Sequence, residues 1–197
     1  MQTAQAALKT LCNPATEVSA HYLIASDGEV MSLVPEAMRA WHAGAGRWGG
    51  VTDVNSRSIG IELANDGVSP FAALQMDALT DLLKGIKARW DIRPERMIGH
   101  SDMAPERKVD PGPRFDWHRL AREGLSVWPA TKPGDPAQFT AMMRAFGYTA
   151  DVDDDLLLKV FRMRFRPHAA GQLDTIDAGM ISDLAGRFPV DVNAACA

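Results

Sequence analysis

The sequence predicts an α/β chain, with a mixed central sheet flanked by helices and a small three-helix domain after it. Three observations predict this. Strand-like and helix-like patterns alternate along the first part of the chain. A stretch rich in Pro and Gly then interrupts the pattern. Beyond it only helical periodicity recurs.

The elements follow in order. Residues 3–11 are rich in Ala and Leu and predict a short helix. Cys12-Asn13-Pro14 ends it, because proline disfavours helical geometry in the residue before it. Tyr22-Leu23-Ile24 and Val30-Met31-Ser32-Leu33-Val34 flank Ser26-Asp27-Gly28 and predict a hairpin. In Ile59-Gly60-Ile61-Glu62-Leu63-Ala64, apolar residues alternate with others, as on a half-buried strand. Ser69-Pro70 has the form of a helix start, a capping hydroxyl followed by a proline. Phe71, Leu74, Leu79, Leu82, Leu83, Ile86 and Trp90 then make one apolar stripe. Met97-Ile98-Gly99-His100 is expected to be a short strand that presents His100 at its end.

The boundary is expected next. Residues 128–136 hold three prolines and one glycine in nine positions and suggest a semi-stiff linker. Residues 1–128 would form the first domain, 129–136 the linker and 137–197 the second. In the second, Phe139, Met142, Met143 and Phe146 form one apolar face, closed by Gly147. Leu156, Leu157, Val160, Phe161 and Phe165 form another, and Ile176, Met180, Ile181, Leu184 and Phe188 a third. Arg162, Arg164 and Arg166 suggest a solvated face.

Composition narrows the function classes. Of 197 residues, 46% are hydrophobic and 23% charged, a globular balance that argues against wholesale disorder. Asp and Glu total 25 against 21 Lys and Arg, a net charge of -4, so no dedicated nucleic-acid surface is expected. No apolar run reaches the length of a membrane span. Two cysteines, Cys12 and Cys196, give neither a disulfide framework nor a Cys-rich zinc knuckle. Met1-Gln2-Thr3-Ala4-Gln5 lacks the regions of a secretory signal. Cytoplasmic placement is then the default, and an envelope role stays open.

The densest chemistry lies in Gly99-His100-Ser101-Asp102 through Lys108-Val109-Asp110-Pro111-Gly112-Pro113. An imidazole and a carboxylate ten residues apart suit a catalytic zinc, which takes three protein ligands and keeps one position for water. Zinc lowers the pKa of that water and polarises a carbonyl oxygen. Lys108 can reach the same site as a cation for an oxyanion. Glu62 can act as general base if its strand end points into that cleft. From the residues alone, a His and an Asp in a loop are more often a structural hydrogen-bond pair than zinc ligands. Ser101 lacks the glycine pattern of a nucleophile elbow.

Residues 1–128 resemble the zinc-dependent N-acetylmuramoyl-L-alanine amidases of the type-2 amidase family, relatives of the peptidoglycan recognition proteins. Four stretches carry the resemblance in the family's order: 18–24, Ala40-Trp41-His42-Ala43-Gly44, 58–63 and 99–113, with Phe115-Asp116-Trp117 continuing the last. The resemblance implies that His100 and Asp110 are two of three zinc ligands. It implies that Glu62 helps to activate the water and that Lys108 stabilises the tetrahedral oxyanion. It also implies that His21, Tyr22, Trp41 and His42 line or shape a cleft for peptidoglycan or muropeptide. For Tyr22 and Trp41 simple packing is the alternative, and for His42 a satisfied loop histidine. Residues 137–197 resemble, more loosely, a three-helix peptidoglycan-binding module, through Phe146-Gly147-Tyr148 and Phe161 to Pro167.

One family feature is missing. Its first zinc ligand is a histidine on a strand just before a helix like 2–11, and no histidine precedes His21. A shortened or late-started chain is one expectation. Recruitment of His21 or His42 as substitute ligand is a second, and a non-catalytic muropeptide binder a third.

Overall fold

The computed structural model describes residues 3–190. It is a mixed α/β structure, as its alternating patterns predict. The chain divides into two compact units that interleave along the sequence. The first takes residues up to Ala45, Asp53–Arg93 and Arg114–Asp116. The second takes Gly46–Thr52, Pro94–Pro113 and the chain from Trp117 onward.

The first unit is built on a three-stranded sheet. Helix α1 (Ala4–Leu11) starts on the Thr3 hydroxyl, which accepts the Ala6 amide at 3.2 Å. Strands β1 (Tyr22–Ile24) and β2 (Val30–Ser32) pair antiparallel, with Leu23 opposite Met31. Gly28 takes φ +92 in their turn, a conformation that favours glycine. Strand β3 (Ile61–Leu63) pairs parallel to β1, with Glu62 opposite Leu23, so the sheet order is β2-β1-β3. Ala7 and Leu11 of α1 cluster with Ala20 and Leu23 in a buried core. Burial of a leucine of this kind contributes about 1.5–3 kcal/mol.

Helix α2 (Ala73–Trp90) packs on β1. It starts later than Ser69-Pro70 suggests. The Ser69 amide and hydroxyl both donate to the Asp66 carboxylate, at 2.7 and 2.8 Å, so the expected cap is spent in a turn. Met76, Leu79, Leu83 and Ile86 form the buried stripe, while Leu74 and Trp90 are exposed. Gln75 is a clamp that hydropathy does not reveal. Its amide donates to the carbonyls of Ile24 at 2.9 Å and Ala64 at 3.1 Å, holding the ends of two strands.

The second unit is helical. Its helices are α3 (His100–Met103), α4 (Trp117–Arg122), α5 (Phe139–Phe146), α6 (Asp154–Phe165) and α7 (Thr175–Arg187). Phe139, Met143, Phe146, Phe161 and Phe165 are buried, as their spacing predicts. Gly147 closes α5 with φ +144. Residues 128–136 are held rather than free. Gly134 donates to the Thr175 carbonyl at 2.7 Å, and Ala130 to Asp183 at 3.0 Å. Gly179 makes this approach fit, since a Cβ there would lie 1.7 Å from the Lys132 carbonyl oxygen.

The arginines of α6 overturn the expectation of a solvated face. Arg162 and Arg164 are buried, because each meets a buried aspartate. Arg162 pairs with Asp177 at 2.6 Å and donates to the carbonyls of Gly171 and Gln172. Arg166 bridges Asp174 and Asp177. Among the described residues no helix is long and apolar enough to cross a membrane.

Candidate active site

His100 and Asp110 come together in the second unit. The expected strand at 97–100 does not form, and His100 instead opens the four-residue helix α3. The reason is Asp102, whose carboxylate accepts the Gly99 amide at 2.8 Å and turns the chain into a helical start. Ser101 donates its amide to the Asp110 carbonyl at 3.0 Å, which draws the second loop alongside. Gly99 permits that approach, since a Cβ there would lie 2.5 Å from the Pro111 ring. His100 Nδ1 then meets the Asp110 carboxylate directly.

Burial pushes the Asp110 carboxyl up, but the hydrogen bond and charge of His100 and the charge of Lys108 outweigh it. Asp110 is therefore held below its ordinary value. Lys108 is half-buried, and its charge acts on the Asp110 carboxylate. One imidazole nitrogen and one carboxylate oxygen are donors that suit zinc. Among the described residues no group of three or more His, Cys, Asp or Glu converges on a metal position. The residues present therefore fit two positions of a zinc site.

The other candidates lie in the first unit. Glu62 is the central residue of β3, half-buried, on the sheet face shared by Leu23. His21 is 1% exposed. Its Nδ1 accepts the Gly60 amide at 2.9 Å, and its Nε2 donates to the Met38 carbonyl at 3.0 Å. Both ring nitrogens are thus spent, and no lone pair is left for a metal. This removes His21 as a substitute ligand and makes it a pin between β3 and the 33–44 loop.

His42 packs edge-on to His21, with ring centroids 5.6 Å apart. Its backbone amide and that of Ala43 donate to Asn55 Oδ1 at 3.0 and 2.8 Å. Tyr22 donates its hydroxyl to Glu36 at 2.7 Å. Burial first, then the Glu36 hydrogen bond and charge, push that phenol up. Glu36 also receives Arg89 through Nε at 2.9 Å and Trp90 Nε1 at 2.7 Å, which ties the loop to the end of α2. The Arg89 hydrogen bond leads in holding Glu36 at about 2, against the opposing effect of burial.

Trp41 is 53% exposed, with the Arg39 guanidinium 4.2 Å over its ring. It lines an open groove of about 660 Å³ with Leu11, Cys12, Glu17 and Val18. Packing in the core does not explain so exposed an indole. Glu36, Asn55 and Gln75 escape a sequence reading, and for Asp102, Tyr148 and Arg164 the sequence shows the motif but not the buried contact. Only Gly60, an isolated glycine in a strand pattern, signals a close approach.

The family model for N-acetylmuramoyl-L-alanine amidase matches residues 1–113. The chain belongs to the N-acetylmuramoyl-L-alanine amidase family. These are amidases, hydrolases of a generally zinc-dependent kind. The N-acetylmuramoyl-L-alanine amidase AmiD of Escherichia coli K12 is 37% identical over 187 residues, covering 77% of this chain and 67% of its own length. The 1,6-anhydro-N-acetylmuramyl-L-alanine amidase AmpD of Enterobacter cloacae is 44% identical over 103 residues, 52% of this chain and 55% of that relative. The chain thus spans about half the length of this AmpD. Solved amidase structures agree in fold. The complex of Escherichia coli AmiD with anhydro-N-acetylmuramic acid-L-Ala-D-gamma-Glu-L-Lys superposes with a TM-score of 0.86 at 33% identity, over 93% of this chain and 84% of that one. AmpDh3 of Pseudomonas aeruginosa with anhydromuramic pentapeptide gives 0.84 at 32% identity, over 95% and 90%.

Proposed function

We propose that this family member hydrolyses the amide between the lactyl group of N-acetylmuramic acid and L-alanine in peptidoglycan or muropeptides. The observation that carries this reading is the His100–Asp110 pair with the Lys108 charge beside it, inside the stretch matched by the family model. The muropeptide complexes of AmiD and AmpDh3 support the substrate class.

His100 and Asp110 would hold zinc, together with a third ligand beyond this pair. Held there, zinc would supply a lowered pKa for a water and polarisation of the substrate carbonyl. Glu62 takes the proton of the attacking water and returns it to the leaving amine. Lys108 stabilises the negative charge that develops on the carbonyl oxygen. The exposed Trp41 offers an apolar face to a sugar or peptide, and Tyr22, His21 and His42 hold the loop that carries it. Residues 137–197 are proposed to contribute a wall-binding surface.

The test is product release from a purified anhydromuropeptide, followed by mass spectrometry, with zinc content measured on the same samples. Release of free anhydro-N-acetylmuramic acid with about one zinc per chain is the expected result. Muropeptide binding without release, in a chain that holds no zinc, would replace the enzyme with a binding protein.

A further inference from the structure

The short helix that carries His100 cannot hold itself. Four residues make a single turn, and isolated helices of this length are unstable in water. What holds it is a buried ionic group supplied from far along the chain. Arg164 of α6 donates Nη1 to Asp102 Oδ2 at 2.6 Å. Its Nη2 donates to the Met97 carbonyl at 2.8 Å and to Ser126 Oγ at 3.2 Å. The guanidinium lies 4.0 Å over the Trp117 ring. Tyr148 donates its hydroxyl to the other Asp102 oxygen at 2.5 Å. Arg164, Asp102 and Tyr148 are 3%, 2% and 1% exposed.

One guanidinium therefore grips the chain on both sides of His100. It holds Met97 three residues before and Asp102 two residues after, while Asp102 itself receives the Gly99 amide. The planar fork is what permits two such grips at once, and a lysine ammonium cannot reproduce it. Asp110 is tied to the same turn through the Ser101 amide.

We propose that Arg164 is a positioning residue for the His100–Asp110 pair, acting through Asp102. The C-terminal helices then do more than present a wall-binding surface: one of their arginines sets the geometry of the hydrolytic site. This rests on the reading of His100 as a metal ligand.

Arg162 provides the control. It is buried on the same helix, but its fork goes to Asp177 and to the carbonyls of Gly171 and Gln172. The experiment compares Arg164→Lys and Arg162→Lys in the full chain by two readouts. The first is the set of imidazole ¹H–¹⁵N correlations of metal-free protein, with His100 identified by its loss in His100→Gln. The second is titration with Zn²⁺ alone, well below the melting temperature. Arg164→Lys should broaden or double the His100 signals and weaken zinc binding about 10-fold or more, the usual effect of removing a group that orients a ligand. Arg162→Lys should lower the melting temperature and leave both readouts as in the wild type. If Arg164→Lys does not fold, Tyr148→Phe removes one hydroxyl from the same carboxylate and should shift the His100 signals without unfolding the protein.

The proposal is overturned if the position-164 and position-148 variants lose stability while His100 keeps its wild-type signals. It is equally overturned if the Arg162 control perturbs His100 as much. Should Zn²⁺ leave the wild-type His100 signals unmoved, the functional reading of the metal pair fails. The metal-free spectra still decide whether Arg164 positions His100.

Discussion

Replacing Gly60 by alanine should expose how tightly the histidine pair is built. A Cβ at position 60 would lie 2.2 Å from Cγ of His42 and 2.5 and 2.6 Å from two further ring atoms. Ordinary contact begins near 3.4 Å, so the ring must retreat by about 1 Å at its root, which rotation about χ2 leaves in place. Overpacking of this kind costs about 1–3 kcal/mol. For a chain of this size each kcal/mol lowers the melting temperature by about 2–4 °C. The assay is a double-mutant cycle by thermal or urea unfolding, with Gly60→Ala, His42→Ala and both. In the His42→Ala background the obstacle is gone, so Gly60→Ala should cost less than about 0.5 kcal/mol there. The coupling should then be about 1–3 kcal/mol. Equal cost in both backgrounds would refute the reasoning, because the strain would lie in the Gly60 backbone. The same variants report on function. A displaced His42 disturbs the loop that carries Trp41, so KM for muropeptide should rise more than kcat falls.

Other perturbations separate the remaining roles. Glu62→Ala should abolish turnover and spare zinc content, whereas Asp110→Ala should lower zinc content itself; near-normal activity of Glu62→Ala would remove the glutamate as base. Glu36 titrates at about 2 in the folded chain against an ordinary 4.5, so it binds fewer protons folded than unfolded across that window. Its contribution is complete above about 4.5 and is lost as pH falls toward 2, which Trp90 fluorescence should report; Glu36→Gln should flatten that part of the pH profile. Gly179→Ala drives a Cβ to 1.7 Å from the Lys132 carbonyl. It should cost at least as much as ordinary overpacking, about 1–3 kcal/mol, and increase proteolysis within 129–136.

Several features of this protein are fixed by local pattern. Alternation at Ile59 to Ala64 and around Ser26-Asp27-Gly28 determines the strands, because side chains on a strand face opposite sides in turn. Spacing on α5, α6 and α7 determines the apolar face that each buries, because one face of a helix recurs every 3.6 positions. The types and order of His100, Lys108 and Asp110 suggest the chemistry proposed for the site, since only certain side chains bind zinc or an oxyanion.

Local side-chain hydrogen bonds and tertiary structure decided what the hydropathic pattern does not encode. The start of α2 shifted because Asp66 captured Ser69. His100 moved from a strand end to a helix start because Asp102 caught the Gly99 amide. His21 became a structural pin because both of its nitrogens found backbone partners far apart in sequence. Arginine is the sharpest case. Arg162 and Arg164 carry charge and, by composition, belong in water, yet each is buried on an aspartate from a remote segment. A charge is buried only where a partner and hydrogen bonds replace its water. That partner is named by the fold, 62 residues away in the case of Asp102, and no periodicity within α6 records it.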